Sequence, residues 1–331
     1  MMGKSFFSLL LVIEMMSACS MGKVYINALQ PAEISLPDSL QRISIFPAAG
    51  IPEMPGEWDS ISEIKLSPFV DYNTIKMGYI YGLYDVLSTS PRFQKVVIAD
   101  STWKGYARPG YLSWDELLQI CRHDSTDAVL ILKKAVSYDK LEHRIFEDSP
   151  CFFIYSMINQ TKWAFYFPST RTATENLVFT DTTSFEQNDE NCSVMSKLQN
   201  VSTALYESCF FSGMQVATKI SPYWKENIIR NYYSGQNKEM REAASFVKRD
   251  HWQAAAEIWN SLVENENNRL ASKAAYNLAL AWERDDLLDQ AWLWINYADS
   301  LHRNRKILIY KDLLDKRMKS RLILDRQMAG N

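Results

Sequence analysis

The chain has 331 residues, of which 47% are hydrophobic and 13% aromatic, with 11 Gly and 11 Pro. So much large apolar side chain excludes a disordered protein and supplies core for two domains. A formal net charge of −3 offers no basic face, so no nucleic-acid partner is expected.

Residues 1–20 read as an export signal. Lys4 supplies a positive start, and Phe6 to Val12 is an apolar run that extends to Met16 with Glu14 as its one flaw. The run is shorter than the roughly 20 residues a bilayer-spanning helix needs. It closes on Met16-Ser17-Ala18-Cys19, which resembles the lipobox of bacterial lipoproteins. There the small pair fits the peptidase cleft and the thiol accepts diacylglycerol. The resemblance implies a signal peptide over 1–18 and lipidation at Cys19. Each buried CH₂ of an acyl chain contributes about 0.8 kcal/mol, so two or three chains anchor stably. No later segment is apolar and long enough to span a membrane.

Residues 19–38 read as a tether leading into an edge strand, and an α/β domain is expected over 39–234. Arg42 to Pro47 alternates as a strand does. Pro52, Pro55, Gly56 and Pro68 mark a loop, and Tyr79 to Leu87 a short helix stopped near Pro91. Lys95 to Ala99 and Asp127 to Leu132 are continuous apolar strands of the buried kind. Between them, Ser113 with Glu116 three residues on is a capping box that starts a helix to Cys121. Strand and helix in alternation predict a parallel sheet. Lys134 to Tyr138, Phe152 to Met157, Lys162 to Phe167 and Asn176 to Phe185 then read as antiparallel strands extending it. Val194 to Tyr233 reads as helical, with Val201, Leu205, Cys209 and Gly213 at helical spacing and Pro222 opening a further helix.

The last third differs in kind, and an all-α domain is expected over 235–331. Neither Gly nor Pro occurs between Asn237 and Ser300. At an offset of 36, Ala243, Val247, Ala255 and Trp259 align with Ala279, Glu283, Ala291 and Ile295. The turns Arg249-Asp250-His251-Trp252 and Asp285-Asp286-Leu287-Leu288 align as well. The pattern resembles the tetratricopeptide repeat, with a period of about 34 residues. Small residues let two antiparallel helices cross closely, and Trp252, Trp259, Trp282 and Ile295 fill the spaces between. Ile307, Tyr310, Leu314, Met318 and Leu322 form an apolar stripe on a final capping helix. Lys311, Arg317, Lys319 and Arg321 are expected on its solvated outer face. The resemblance implies a partner-binding groove lined by Asn237, Met240, Ala244 and Lys248 from one unit and Lys273, Tyr276, Leu280, Glu283 and Arg284 from the next. The alternative is that this face docks on the α/β domain.

The whole is similar to an uncharacterised family of lipoproteins from Bacteroidetes-type bacteria. The matching pieces are Pro31-Ala32-Glu33-Ile34, Arg42 to Phe46, Ser113 to Leu117, Asp127 to Leu130, Ile220 to Trp224 and Arg230 to Tyr233. The likeness implies a fold of an N-terminal α/β sheet domain with an antiparallel extension, followed by tetratricopeptide-like helices. It brings no activity with it. It does imply O-glycosylation at Asp-Ser or Asp-Thr steps, of which Ser39, Ser60, Ser101, Ser125, Thr182 and Ser300 match. The absence of acidic residues just after Cys19 implies an outer-membrane anchor facing the periplasm.

Motifs that carry chemistry are few. The sequence holds no GxGxxG, GxxxxGK, GxSxG or HExxH. Adjacent His123, Asp124 and Ser125 cannot make a triad, whose members converge from separate segments. Cys121, Cys151, Cys192 and Cys209 allow three disulfide pairings, and Cys151 and Cys209 in apolar runs read equally well as buried thiols. No metal or cofactor is expected. The leading expectation is a non-catalytic envelope lipoprotein that binds a protein or peptide through its helical repeats. The alternatives are an enzyme or small-ligand site in an α/β cleft around Asp100, Trp103, Lys104 and Asp127, or a structural subunit of an outer-membrane assembly.

Overall fold

The computed structural model describes residues 21–37, 39–47, 72–99, 112–146, 149–188, 201–235 and 237–328. In chain order the elements are β1 (Met21–Gln30), β2 (Arg42–Phe46), α1 (Tyr72–Thr89), β3 (Lys95–Ile98), α2 (Trp114–Asp124), β4 (Ala128–Phe146), β5 (Ser149–Phe167), β6 (Thr172–Asn188), α3 (Val201–Ile220), β7 (Tyr223–Tyr233), α4 (Lys238–Val247), α5 (Trp252–Leu262), α6 (Asn268–Arg284), α7 (Leu288–Leu301) and α8 (Arg305–Met328). Two compact units emerge: a helical unit of residues 1–30 and 224–325, and a sheet unit of 31–223 with 326–331.

In the sheet unit the strand order is β3-β2-β4-β5-β6. β2 runs parallel to both β3 and β4, pairing Ile43 with Val96 on one side and Ala128 on the other. β4, β5 and β6 are antiparallel. Around β2 and the start of β4 both faces of the sheet are covered, which is why these strands read as unbroken apolar runs. Ile43, Ile45, Leu130 and Leu132 pack in one cluster with α1 and α3, while Phe46, Val129 and Ile131 pack in another with α2. α2 begins at the expected capping box: Ser113 Oγ accepts from the Glu116 N–H at 3.3 Å, and Glu116 Oε2 accepts from the Ser113 N–H at 2.6 Å. It ends at Ser125, whose φ of 56° lies in the left-handed region.

Three differences from the sequence reading have local causes. α1 starts at Tyr72 and is longer than the helix expected over 79–87. The short stretches expected within 134–185 are three strands of 19, 19 and 17 residues. A register shift between Leu132 and Lys134 breaks the alternation of β4 without ending the strand. In β5 the apparent gap over 158–161 alternates half-buried Ile158 and Gln160 with buried, polar Asn159 and Thr161. Asn159 is fully buried; its Oδ1 accepts from Tyr79 OH and Ser137 Oγ, both at 2.8 Å, and its Nδ2 donates to Ser208 Oγ at 2.6 Å. A satisfied network of this kind is tolerated in a core and looks like a loop in a hydropathy pattern.

α1 and α3 cross at glycines. A Cβ on Gly82 would fall on the carbonyl oxygen of Phe210, and one on Gly213 on that of Tyr79, each far inside van der Waals contact. The two backbones therefore touch directly.

The helical unit holds the two-stranded sheet of β1 with β7 and five helices. Part of the expected tether is thus the ten-residue strand β1. The helix expected after Pro222 is instead strand β7. Proline opens a strand as readily as a helix, and Tyr223, Trp224, Ile228, Ile229, Tyr232 and Tyr233 give this segment the aromatic and β-branched character of a strand. The unit boundary falls between Tyr223 and Trp224, ahead of the 234/235 boundary read from the sequence, because β7 goes with the helices.

α4–α5 and α6–α7 are successive hairpins with matching detail at the offset of 36. Asp250 and Asp286 turn the chain with φ of 60° and 59°. The next amide, His251 or Leu287, donates back to the carbonyl of Phe246 or Trp282 at 2.9 and 3.0 Å. Ala243, Ala255, Ala279 and Ala291 all have zero exposure, as do Trp259 and Ile295. On α8, Ile307, Tyr310 and Leu314 are buried, but the inward face then continues through Arg317 and Leu324, leaving Leu322 61% exposed. Met318 is half-buried, and at 3.6 residues per turn the further step of four drifts off the inward face, which puts Leu322 outside. Among the described residues, no helix is long and apolar enough to cross a membrane.

Candidate functional site: a tryptophan-lined groove in the helical unit

The face expected to be an open partner groove is filled by the chain itself. Met240, Lys273, Tyr276, Leu280 and Glu283 are all buried. Asn237 is the N-cap of α4, its side chain accepting from the Met240 N–H, and Lys248 is exposed at the other end of that helix. The occupants are the end of β7 and the inward face of α8. Asn277, fully buried, takes hold of Tyr233 by its main chain: the Tyr233 N–H donates to Asn277 Oδ1 and Asn277 Nδ2 donates to the Tyr233 carbonyl, both at 2.8 Å. The Tyr276 ring meets those of Tyr233 and Tyr310 at 5.1 and 4.8 Å, and Lys273 Nζ lies 5.3 Å from the centre of the Tyr233 ring.

At the heart of this contact sits the Glu283 carboxylate, with zero exposure. Arg230 from β7 donates to both oxygens, from Nη2 at 2.8 Å and Nε at 3.0 Å. Arg317 Nη1 donates at 3.0 Å and Tyr310 OH at 2.9 Å. Burial, then the adjacent carboxylate, holds the Tyr310 phenol well above its ordinary pKa, so it stays a donor. Arg317 also pairs with Asp286 at 2.8 Å, Lys311 with Asp299 at 3.2 Å and Lys319 with Asp315 at 2.6 Å, while Arg321 bridges Asp286 and Asp325. Arg317, expected outside, is 9% exposed.

The open concavity lies elsewhere in the same unit. A groove of about 900 Å³ runs over α5, α6 and the middle of α7. Gln253, Glu257 and Asn260 line it from one face of α5, Trp282 and Arg284 from the end of α6, and Trp294 from α7. Its size is at the upper end of small-ligand sites, which span about 300–1,000 Å³. At one end Trp252 Nε1 donates to Asp250 Oδ1 at 2.9 Å, and the Arg284 guanidinium sits 5.1 Å from the Trp252 ring centre. The same guanidinium pairs with Asp250 at 3.3 Å and Asp285 at 3.2 Å. Arg284 is thus the expected groove residue that borders an open surface. The Trp side chains were legible as core filling. That Trp282 and Trp294 stay only half-buried depends on how the hairpins splay, which no local pattern encodes.

The remaining expected residues do not converge. Asp127 is tied to Arg42 at 2.6 Å where β2 meets β4; Asp100, Trp103 and Lys104 lie outside the described residues. Asp124 stands between His123 Nδ1 and Ser44 Oγ, both at 2.8 Å, so the carboxylate and not the imidazole meets the hydroxyl, unlike the order of a Ser-His-Asp triad. Among the described residues no group of three His, Cys, Asp or Glu could hold a metal. Ser39, Ser125, Thr182 and Ser300 are exposed, whereas Cys19, Ser60, Ser101 and Cys192 lie outside the described residues, as does the side chain of Cys151.

Cys121 and Cys209 are buried free thiols, and desolvation pushes both from near 9 up to about 11. Since only the thiolate reacts, iodoacetamide at pH 8 is expected to spare both in the native protein and take both in urea, as read by peptide mass spectrometry. Both are protonated in either state below about pH 9. Above it the unfolded chain loses these protons first, so stability falls between about pH 9 and pH 11.

A three-layered α/β sheet unit and a unit of paired helices, with an open aromatic groove in the latter, define the class: a mixed α and β protein. The chain belongs to the family described as Domain of unknown function (DUF8603), which it matches over residues 54–233, more than half its length. Residues 241–321 match a second family, Domain of unknown function (DUF6340). No curated protein matches the chain.

Proposed function

We propose that this chain is a non-catalytic lipoprotein of the bacterial envelope, acylated at Cys19, moored to the outer membrane and facing the periplasm. Its helical unit is a scaffold that binds a protein or peptide partner. The two hairpins are tetratricopeptide-type repeats closed by α8. Supporting the repeat reading are the paired left-handed turns at Asp250 and Asp286 and the four fully buried alanines at the helix crossings.

The observation that carries the binding reading is the groove over α5 to α7. Accessible indoles beside charged side chains suit a protein-binding surface, because Trp and Arg are enriched among the few residues that dominate binding energy. With β7 and α8 filling the other face, this groove replaces the one expected from the repeat pattern. Affinity capture from envelope extract with the full chain as bait is expected to return a stoichiometric partner that Trp282→Leu releases. Capture unchanged by that substitution would refute the groove. Mass spectrometry of the native protein is expected to find diacylglycerol on Cys19 as the first residue, and an unmodified N-terminus would refute the anchor.

A further inference from the structure

We infer that the segment received by this groove is basic, an inference that rests on the scaffold reading above. Three carboxylates, Asp250, Glu257 and Asp285, border the groove against one guanidinium, Arg284. Arg284 is shared by Asp250 and Asp285, whereas Glu257 is exposed and has no ion pair among the described residues. The chain already displays the chemistry it would offer. Arg284 lies over the indole of Trp252 and is closed by the carboxylate of Asp250. Trp282 and Trp294, both half-buried, line the same groove as Glu257, so the groove holds the indoles and a carboxylate of that triplet without its cation.

A Lys or Arg side chain completes it in two ways. Its aliphatic stem covers apolar indole surface, and its charged head meets both the ring face and the carboxylate. An acidic segment would bring like charges together over the same surface, so charge complementarity selects against it.

The test uses full-length protein in non-ionic detergent and fluorescein-labelled twelve-residue peptides. One set alternates Lys and Arg with Leu and Ser, and its counterpart carries Glu at every cationic position. Anisotropy is expected to show binding of the basic set alone, weakened by added salt. Glu257→Lys, a change at an exposed site, is expected to raise Kd for the basic set by about tenfold or more without altering the circular dichroism. Basic peptides that bind equally well to Glu257→Lys, or acidic peptides that bind as tightly, would overturn a basic occupant. If in that case Trp282→Leu still abolishes binding, the scaffold reading survives alone. No binding by either set would remove both.

Discussion

Gly82→Ala is expected to lower the stability of the sheet unit by about 3 kcal/mol, at the upper end of what overpacking a core costs. Alanine is intrinsically the better helix former by about 1 kcal/mol, so the substitution would be stabilising anywhere the helix had room. Here the new methyl would meet the Phe210 carbonyl, a backbone atom that no side-chain rotation can move aside. α1 and α3 must separate, and every apolar contact between them loosens with the crossing. Urea denaturation followed by circular dichroism measures the loss. Gly213→Ala strikes the same crossing from the other helix, against the Tyr79 carbonyl, so the double variant is expected to lose less than the sum of the two. A Gly82→Ala protein as stable as the parent would show that the two helices do not touch along their backbones.

The second large effect is at Glu283. Removing this carboxylate leaves the Arg230 guanidinium, 11% exposed, without its counter-charge, beside Arg317, 9% exposed, which keeps only its pair with Asp286. Breaking a buried ionic cluster from one side costs about 3–5 kcal/mol, and Glu283→Ala is expected to fall in that range. The triple replacement Arg230→Met, Glu283→Leu and Arg317→Met is expected to cost less than Glu283→Ala alone, because it deletes the desolvated charges together with their partner. Thermal denaturation of the two proteins side by side decides it. Should the triple variant prove the weaker, the cluster would be a net source of stability and not merely a means of fixing which strand and which helix meet at α6.

Local signals in the sequence carried well into the structure, and long-range ones did not. Ser113 and Glu116 are three residues apart and make their reciprocal hydrogen bonds without help from the rest of the fold. The alanines at the offset of 36 needed only the rule that helices crossing closely require small side chains. By contrast, Pro222 is compatible with either kind of element. What makes Tyr223–Tyr233 a strand is its pairing with β1, some 200 residues earlier in the chain. The fate of the expected groove was hidden for the same reason. Lys273, Tyr276 and Glu283 lie on the face the repeat pattern assigned them, but Arg230 and Arg317, which close that face, arrive from segments whose role no periodicity reveals. Neither could the sequence say that Trp282 and Trp294 would be left partly open while Trp259 closed completely.

The grip of Asn277 on Tyr233 is directed at a peptide group and not at a ring. Any residue except proline brings the same N–H and C=O to that place, so the two hydrogen bonds are indifferent to which side chain position 233 carries. Position 277 has no such latitude, because a carboxamide both gives and receives across that span and few other side chains can. The lock and the element it holds are therefore under unequal constraint. Drift in the strand leaves the two hydrogen bonds intact, whereas a single change on the helix, even to the nearly isosteric aspartate, removes one of them.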